Sequence, residues 1–207
     1  MSTTLITKTK KDVVTEFRTA GILEAARHVF AMKGFNDATV DDIANAAGVA
    51  KGTVYLYYKS KREIYFAALK FGVQQMYGGL DEKLKAESTP EGKLRALIAV
   101  KLAYFDENRD FFKIYYSELG NLCIHPGAID AEFKTLYVEQ AKLIESILKE
   151  GIRKKALRNV RAEQAGFAIS DLVRSVITQR ILGWSKSKLT QDVDFIFDFI
   201  WKGIAAE

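Results

Sequence analysis

The 207-residue sequence is poor in the residues that staple small folds or hold metals. It has one cysteine, Cys123, which excludes a disulfide framework and any cysteine-cluster metal site and makes a reducing, cytoplasmic setting the expectation. The two histidines, His28 and His125, are far apart in sequence and form no ligand or triad signature, so no metal and no cofactor is expected. With only Pro90 and Pro126, long helices are permitted almost everywhere. No apolar run approaches the roughly 20 residues of a membrane span. Met1–Ile6 lacks the apolar centre of a signal peptide, so none is expected. Strand-type alternation is scarce, and there is no repeat or low-complexity tract. Glu-x-x-His, P-loop and Gly-x-Ser-x-Gly patterns are missing, which argues against a helical metalloenzyme, a nucleotide enzyme or a serine hydrolase.

What remains is apolar, charged and helical. Hydrophobic residues make up 48%, enough for a real core at this length. The net charge is +5, and most of it sits in the first third: residues 1–62 carry ten Lys/Arg against six Asp/Glu. A basic N-terminal module on a near-neutral body points to an anionic partner.

Apolar spacing predicts a helix over 17–32, with Ile22, Ala25, Ala26, Val29 and Phe30 on one face, ended by Gly34. Thr39 with Asp42 reads as a capping box opening a short helix over 40–47, closed by Gly48. Ser60 with Glu63 opens a long helix that Gly78-Gly79 ends. Thr89-Pro90 starts the next, with the stripe Leu94, Leu97, Ile98, Leu102 and Phe105. Further helices fit 110–120, 128–154, 162–183 and 190–205, with 121–126 as a loop. Lys8, Lys10 and Lys11 read as a tail. The run Arg153–Arg158 reads as charge at a helix C-terminus. The fold class is all-α, about nine helices.

The segment Gly52–Tyr58 is β-branched and aromatic, which locally favours a strand. A strand there would have no partner. A short helix instead gives a helix–turn–helix, with Ile43, Ala44, Ala47 and Val49 inside, Gly48 at the turn, and Val54 and Tyr58 seated inward. The outward face then presents Gly52, Thr53, Tyr55 and Leu56, with Lys51 at its start and Tyr57 at its edge. Lys59 and Lys61 flank it and suit phosphates.

Residues 22–69 closely resemble the DNA-binding domain of TetR-family (tetracycline-repressor-type) regulators. The likeness is carried by Ile22-Leu23-Glu24-Ala25-Ala26, Gly34-Phe35, Thr39–Ala44, Ala47–Tyr55 and Tyr57–Glu63. Leu56 departs from the family's frequent polar residue, and Tyr58 from its usual Phe. The resemblance implies a three-helix DNA-binding domain (12–62) and a six-helix ligand-binding and dimerisation domain (63–207), meeting inside a shared helix near Ser60–Arg62. It also implies DNA contacts at Thr39, Lys51, Gly52, Thr53, Tyr55 and Tyr57, and a phosphate contact at Lys61.

Under that resemblance the chain is expected to be a homodimeric, ligand-responsive repressor, not an enzyme, released from a near-palindromic operator by a small apolar or amphipathic effector. The alternative is a helical interaction or small-molecule-binding module without sequence-specific DNA binding. Candidate ligand-lining residues are Tyr104, Phe105, Phe112, Tyr115, Tyr116, Tyr137, Phe167 and Arg174. The tyrosines are the stronger candidates, because a buried hydroxyl needs a partner. Asp171 and Arg174 are either an exposed ion pair or polar groups at a pocket or seam. The last two helices are expected to form the dimer seam through Leu172, Val176, Ile196, Ile200 and Trp201.

Overall fold

The computed structural model describes residues 9–124 and 131–206, with only the backbone of Lys11, Leu122, Cys123 and Glu132. The described residues form ten helices and no strand beyond a single bridge between Leu157 and Ala205. They are α1 (Lys10–Asp37), α2 (Val40–Ala46), α3 (Lys51–Tyr55), α4 (Lys61–Tyr77), α5 (Leu80–Ala86), α6 (Pro90–Glu107), α7 (Arg109–Ile124), α8 (Ala131–Arg153), α9 (Ala162–Ile181) and α10 (Leu189–Ile204). Helices α1–α3 and the start of α4 make the N-terminal head, and α4–α10 make the body.

The ends of these helices follow from local chemistry. Thr9 and Asp12 form a capping box that starts α1 seven residues earlier than the apolar stripe requires. Lys10 and Lys11 are therefore helical, not a tail; Lys8 lies outside the described residues. Gly34, at φ +75°, breaks the helical path of α1 before one last turn to Asp37. Only a residue without Cβ takes that conformation cheaply. The expected loop at 121–126 is corrected as far as Ile124, since α7 has no breaker before Pro126 and continues to that residue. His125 and Pro126 lie outside the described residues. The structure also adds the short α5, entered at left-handed Gly79.

The body is bound by one polar network as well as by its core. Arg180 on α9 holds Asp106 of α6 with Nε and Nη2, at 3.1 and 2.9 Å. Its Nη1 donates to Asp192 of α10 at 2.5 Å and to the Ser187 carbonyl at 2.9 Å. The guanidinium holds the Asp106 carboxyl below the usual carboxylate range. The basic run near residue 155 serves the opposite ends of α6 and α10, where Lys154 also donates to the Ser88 carbonyl at 3.3 Å. Lys154 pairs with Glu150 at 2.7 Å, and Arg158 Nε donates to the Gly203 carbonyl at 2.8 Å at the end of α10.

Removing one member of this partly buried network strands the others, at a cost of about 3 kcal/mol, the low end of the roughly 3–5 kcal/mol of a fully buried pair. Arg180→Met should therefore lower Tm by about 10 °C in a thermal melt. Adding Asp106→Leu and Asp192→Leu should recover most of the loss. A single variant within about 2 °C of wild type would show that the network bears no weight.

Candidate functional site

The head presents its recognition face through a few short-range choices. The Thr39 hydroxyl accepts from the Asp42 N–H at 3.1 Å, and the Asp42 carboxylate accepts from the Thr39 N–H at 3.0 Å. Lys33 takes the other Asp42 oxygen at 2.7 Å, and Lys33 and Thr39 together hold that carboxyl down to about 2. Gly48, at φ +65°, turns the chain from α2 to α3. Val54 is fully buried and Tyr58 nearly so, in one core with Ile43 and Ala44. Their burial overrides the strand propensity of this segment. The outward side carries Lys51 and Gly52, with Tyr55 at 47% and Leu56 at 79% exposure. Thr53 and Tyr57 are half-buried at its margins.

The three lysines expected at DNA divide. Lys59 is exposed, and among the described residues no ion pair involves it; its N–H donates to Glu63 at 2.6 Å, which braces the start of α4. Lys51 pairs with Asp41 at 2.7 Å, both about half-exposed. Lys61, implied as a phosphate contact, is engaged within the head in this structure. Its Nζ donates to the Asn36 and Ala38 carbonyls at 2.9 and 2.8 Å and lies 4.7 Å from the Phe35 ring centre. The break at Gly34 leaves those carbonyls at the end of α1, and Lys61 satisfies them.

In the body, Phe105, Phe112, Tyr115 and Tyr116 come together as expected, joined by Phe111, which stacks on Phe105 with centroids 5.5 Å apart, and by Phe133. Gly72 of α4 makes room for Phe111: a Cβ there would lie 2.3 Å from the ring. Tyr137 and Phe167 pair beside this cluster at 5.7 Å. Gln140 donates to the Tyr115 hydroxyl at 2.7 Å, and burial pushes the Tyr115 and Tyr116 hydroxyls upward. Arg174 forms the surface pair with Asp171 at 3.1 Å and also sits 5.8 Å over the Tyr116 ring. Tyr104 joins the same cluster through its ring, 5.6 Å from Phe111, while its hydroxyl accepts from Arg27 of α1 at 3.1 Å and ties head to body.

The seam residues are also placed differently. Val176, Ile196 and Ile200 are buried in this chain's own core, and Leu172 and Trp201 are partly buried against it. The apolar side chains left outside on α10 are Phe195 and Phe199, at 64% and 63% exposure, with Leu182 and Trp184 just after α9. A helix apolar on both sides cannot be assigned by its stripe alone.

Residues 22–68 match the family described as bacterial regulatory proteins, tetR family, and residues 87–178 match the tetracyclin repressor-like C-terminal domain. A solved structure of a candidate fatty acid metabolism regulator from Clostridium perfringens is 31% identical, over 90% of this chain and 100% of that one, with TM-score 0.77. The chain belongs to the TetR family. It is a DNA-binding transcriptional regulator, not an enzyme. A fatty acid metabolism regulator of Bacillus subtilis is 23% identical over 184 residues, covering 88% of this chain and 93% of the relative. The structure of FadR from the same organism in complex with stearoyl-CoA shares the fold at 23% identity, over 89% of this chain and 98% of that one, with TM-score 0.72.

The α2–α3 unit of this TetR-family chain was readable from spacing. Lys61, Tyr104 and the outer face of α10 were not, because each depends on a partner distant in sequence or on the choice between two apolar faces. Two signals could have been read earlier: Lys101 interrupts the apolar stripe of α6, and Tyr77 closes α4.

Lys61→Met should lower Tm while leaving the slope of log affinity against log salt on operator DNA unchanged. A slope reduced by about one, with unchanged Tm, would return Lys61 to the phosphate backbone.

Proposed function

We propose that this chain is a homodimeric repressor whose two α3 helices enter successive major grooves of a near-palindromic operator in the bacterial cytoplasm. Its effector is a small apolar or amphipathic molecule that occupies the aromatic core of the body and lowers operator affinity. The observation that carries the DNA reading is the face of α3. Val54 and Tyr58 lock the helix inward, leaving Tyr55 and Leu56 projecting from the outward face of α3. The Tyr55 and Thr53 hydroxyls suit base edges or phosphates, Leu56 suits a thymine methyl, and Gly52 allows close backbone approach. Thr39, Tyr57 and Lys59 border the same face, and Lys51 can exchange Asp41 for a phosphate.

Dimerisation is supported by the rings of Phe195 and Phe199, which stand 6.4 Å apart on the outside of α10. Exposed apolar groups of this size in one patch mark an association surface. Two copies of α9 and α10 would cover it as a four-helix seam. The effector reading is supported by the aromatic cluster of α6–α8 and by the B. subtilis FadR complex with stearoyl-CoA. Release then requires the effector to favour one conformation by about 1–3 kcal/mol.

A mobility-shift titration against DNA upstream of the chain's own gene tests the reading. Tyr55→Ala should weaken binding at least about tenfold while sedimentation still reports a dimer. Phe199→Asp should yield monomers and lose operator binding. Wild-type binding that ignores sequence would leave a helical module without operator recognition, and a Tyr55→Ala variant that loses the dimer would mean the surface is misplaced.

A further inference from the structure

Five polar or charged residues are buried in the described chain: Lys101, Glu118, Gln140, Ser170 and Asp192. Three have partners, Glu118 with Asn121, Gln140 with Tyr115 and Asp192 with Arg180. Lys101 and Ser170 do not. Lys101 is 2% exposed and makes no ion pair or hydrogen bond with the described residues, although its Nζ is not fully enclosed. The Ser170 Oγ is equally unmet, and so is the buried Tyr77 hydroxyl. Buried polar groups without partners are rare and costly in folded proteins.

These groups share the core where the aromatic residues gather. Lys101 lies one helical turn before Phe105 on α6, whose ring meets Phe111, Phe112, Tyr115 and Tyr116. Asp171 of α9, next to Ser170, acts electrostatically on both Lys101 and Tyr116, and Tyr116 in turn senses Tyr77 and Tyr137. Asp171 is already paired with Arg174 and half-exposed, so it is a weak counter-charge. Burial lowers the Lys101 ammonium to about 8, which still leaves it mostly charged at neutral pH.

We propose that Lys101 anchors the charged end of the effector, and that this effector is an ionised monocarboxylic acid with an apolar tail. This rests on the reading that the effector enters the aromatic core. One isolated buried ammonium calls for one negative charge. A carboxylate supplies it, together with lone pairs for hydroxyl donors such as Ser170. A neutral head would leave the ammonium unmet. A phosphate would bring excess negative charge beside Asp171. An acyl-CoA carries its charges far from its acyl end, so the acid itself, rather than its thioester, matches this site. The rings around Phe105 take the tail.

The test uses full-length, delipidated protein with C8–C18 fatty acids, the matching primary alcohols and the matching acyl-CoAs. Thermal shift and operator release are read together, and operator binding by the unliganded protein, measured first, tests the regulator reading separately. In the wild type, acids should bind at least about tenfold more tightly than alcohols and should release the operator. Lys101→Met conserves volume and removes an unpaired buried charge, so it should fold with unchanged or higher Tm and bind acid and alcohol within about threefold of each other. Equal binding of acid and alcohol by the wild type would overturn the proposal. So would a retained acid preference in Lys101→Met, release by acyl-CoA alone, or binding by none of the series. Each of these leaves a different effector in the core still open to the regulator.

Discussion

The packing of Tyr65 is the constraint on which the two-part design depends. It sits on α4, the helix shared by head and body, and it is buried. Its ring meets Phe30 of α1 edge-on at 5.0 Å, and its hydroxyl donates to the Ile114 carbonyl of α7 at 3.3 Å. One side chain thus touches the head's long helix and α7 of the body. Arg27 to Tyr104 and His28 to Asp110, the latter at 2.8 Å, brace the same junction from α1. Those two contacts are more exposed and individually weak. The apolar and aromatic contacts at Tyr65 are not screened by solvent, so they set how the head is carried.

This arrangement explains why the basic character of the head counts for less than its charge arithmetic implies. Lys33 is used by Asp42, Lys51 by Asp41, and Lys61 by the carbonyls ending α1. Much of the positive field is neutralised within the head itself. An exposed pair such as Lys51–Asp41 contributes little and is screened by solvent, so a phosphate can draw Lys51 away. Lys61, with two carbonyls and the Phe35 ring, has more to lose. On the proposed reading, discrimination among DNA sequences falls to the uncharged groups of α3, and charge contributes mainly to encounter.

The head was legible in sequence because its logic is local. Gly48, the Thr39–Asp42 box and the four-residue step from Val54 to Tyr58 lie within twenty residues, and each acts on its own turn. The one conflict, β-branched and aromatic residues in α3, resolved in favour of burial because a lone strand has no ladder partner. The body was legible as helices but not as surfaces. Periodicity marked Ile196 and Ile200 as one stripe of α10, yet Phe195 and Phe199 make a second, and only tertiary packing decides which one faces the core. Tyr104 illustrates the same limit: it follows the apolar period of α6, and its role comes from Arg27, 77 positions earlier.

The junction also determines how an event in the body can reach α3. The aromatic cluster is built largely on α7, and Phe111 presses against α4 at Gly72, where no Cβ is tolerated. A change in the cluster is therefore felt by α4 through a contact with no slack, since close-packed interiors transmit displacement. One face of the junction is not packed. A cleft of about 600 Å³ lies between α1, α4 and α7, walled by Phe30, Phe35, Tyr65 and Phe66 and floored by Ser117 and Glu118. Helix α4 is thus in tight contact with α7 at Gly72 and borders the cleft beside Tyr65. The break at Gly34 sits at the rim of that cleft, where a small rotation of α4 through Lys61 pulls on the carbonyls that end α1. Helices α2 and α3 follow that end of α1, so on the proposed dimer reading the angle at this point sets the spacing of the two α3 helices.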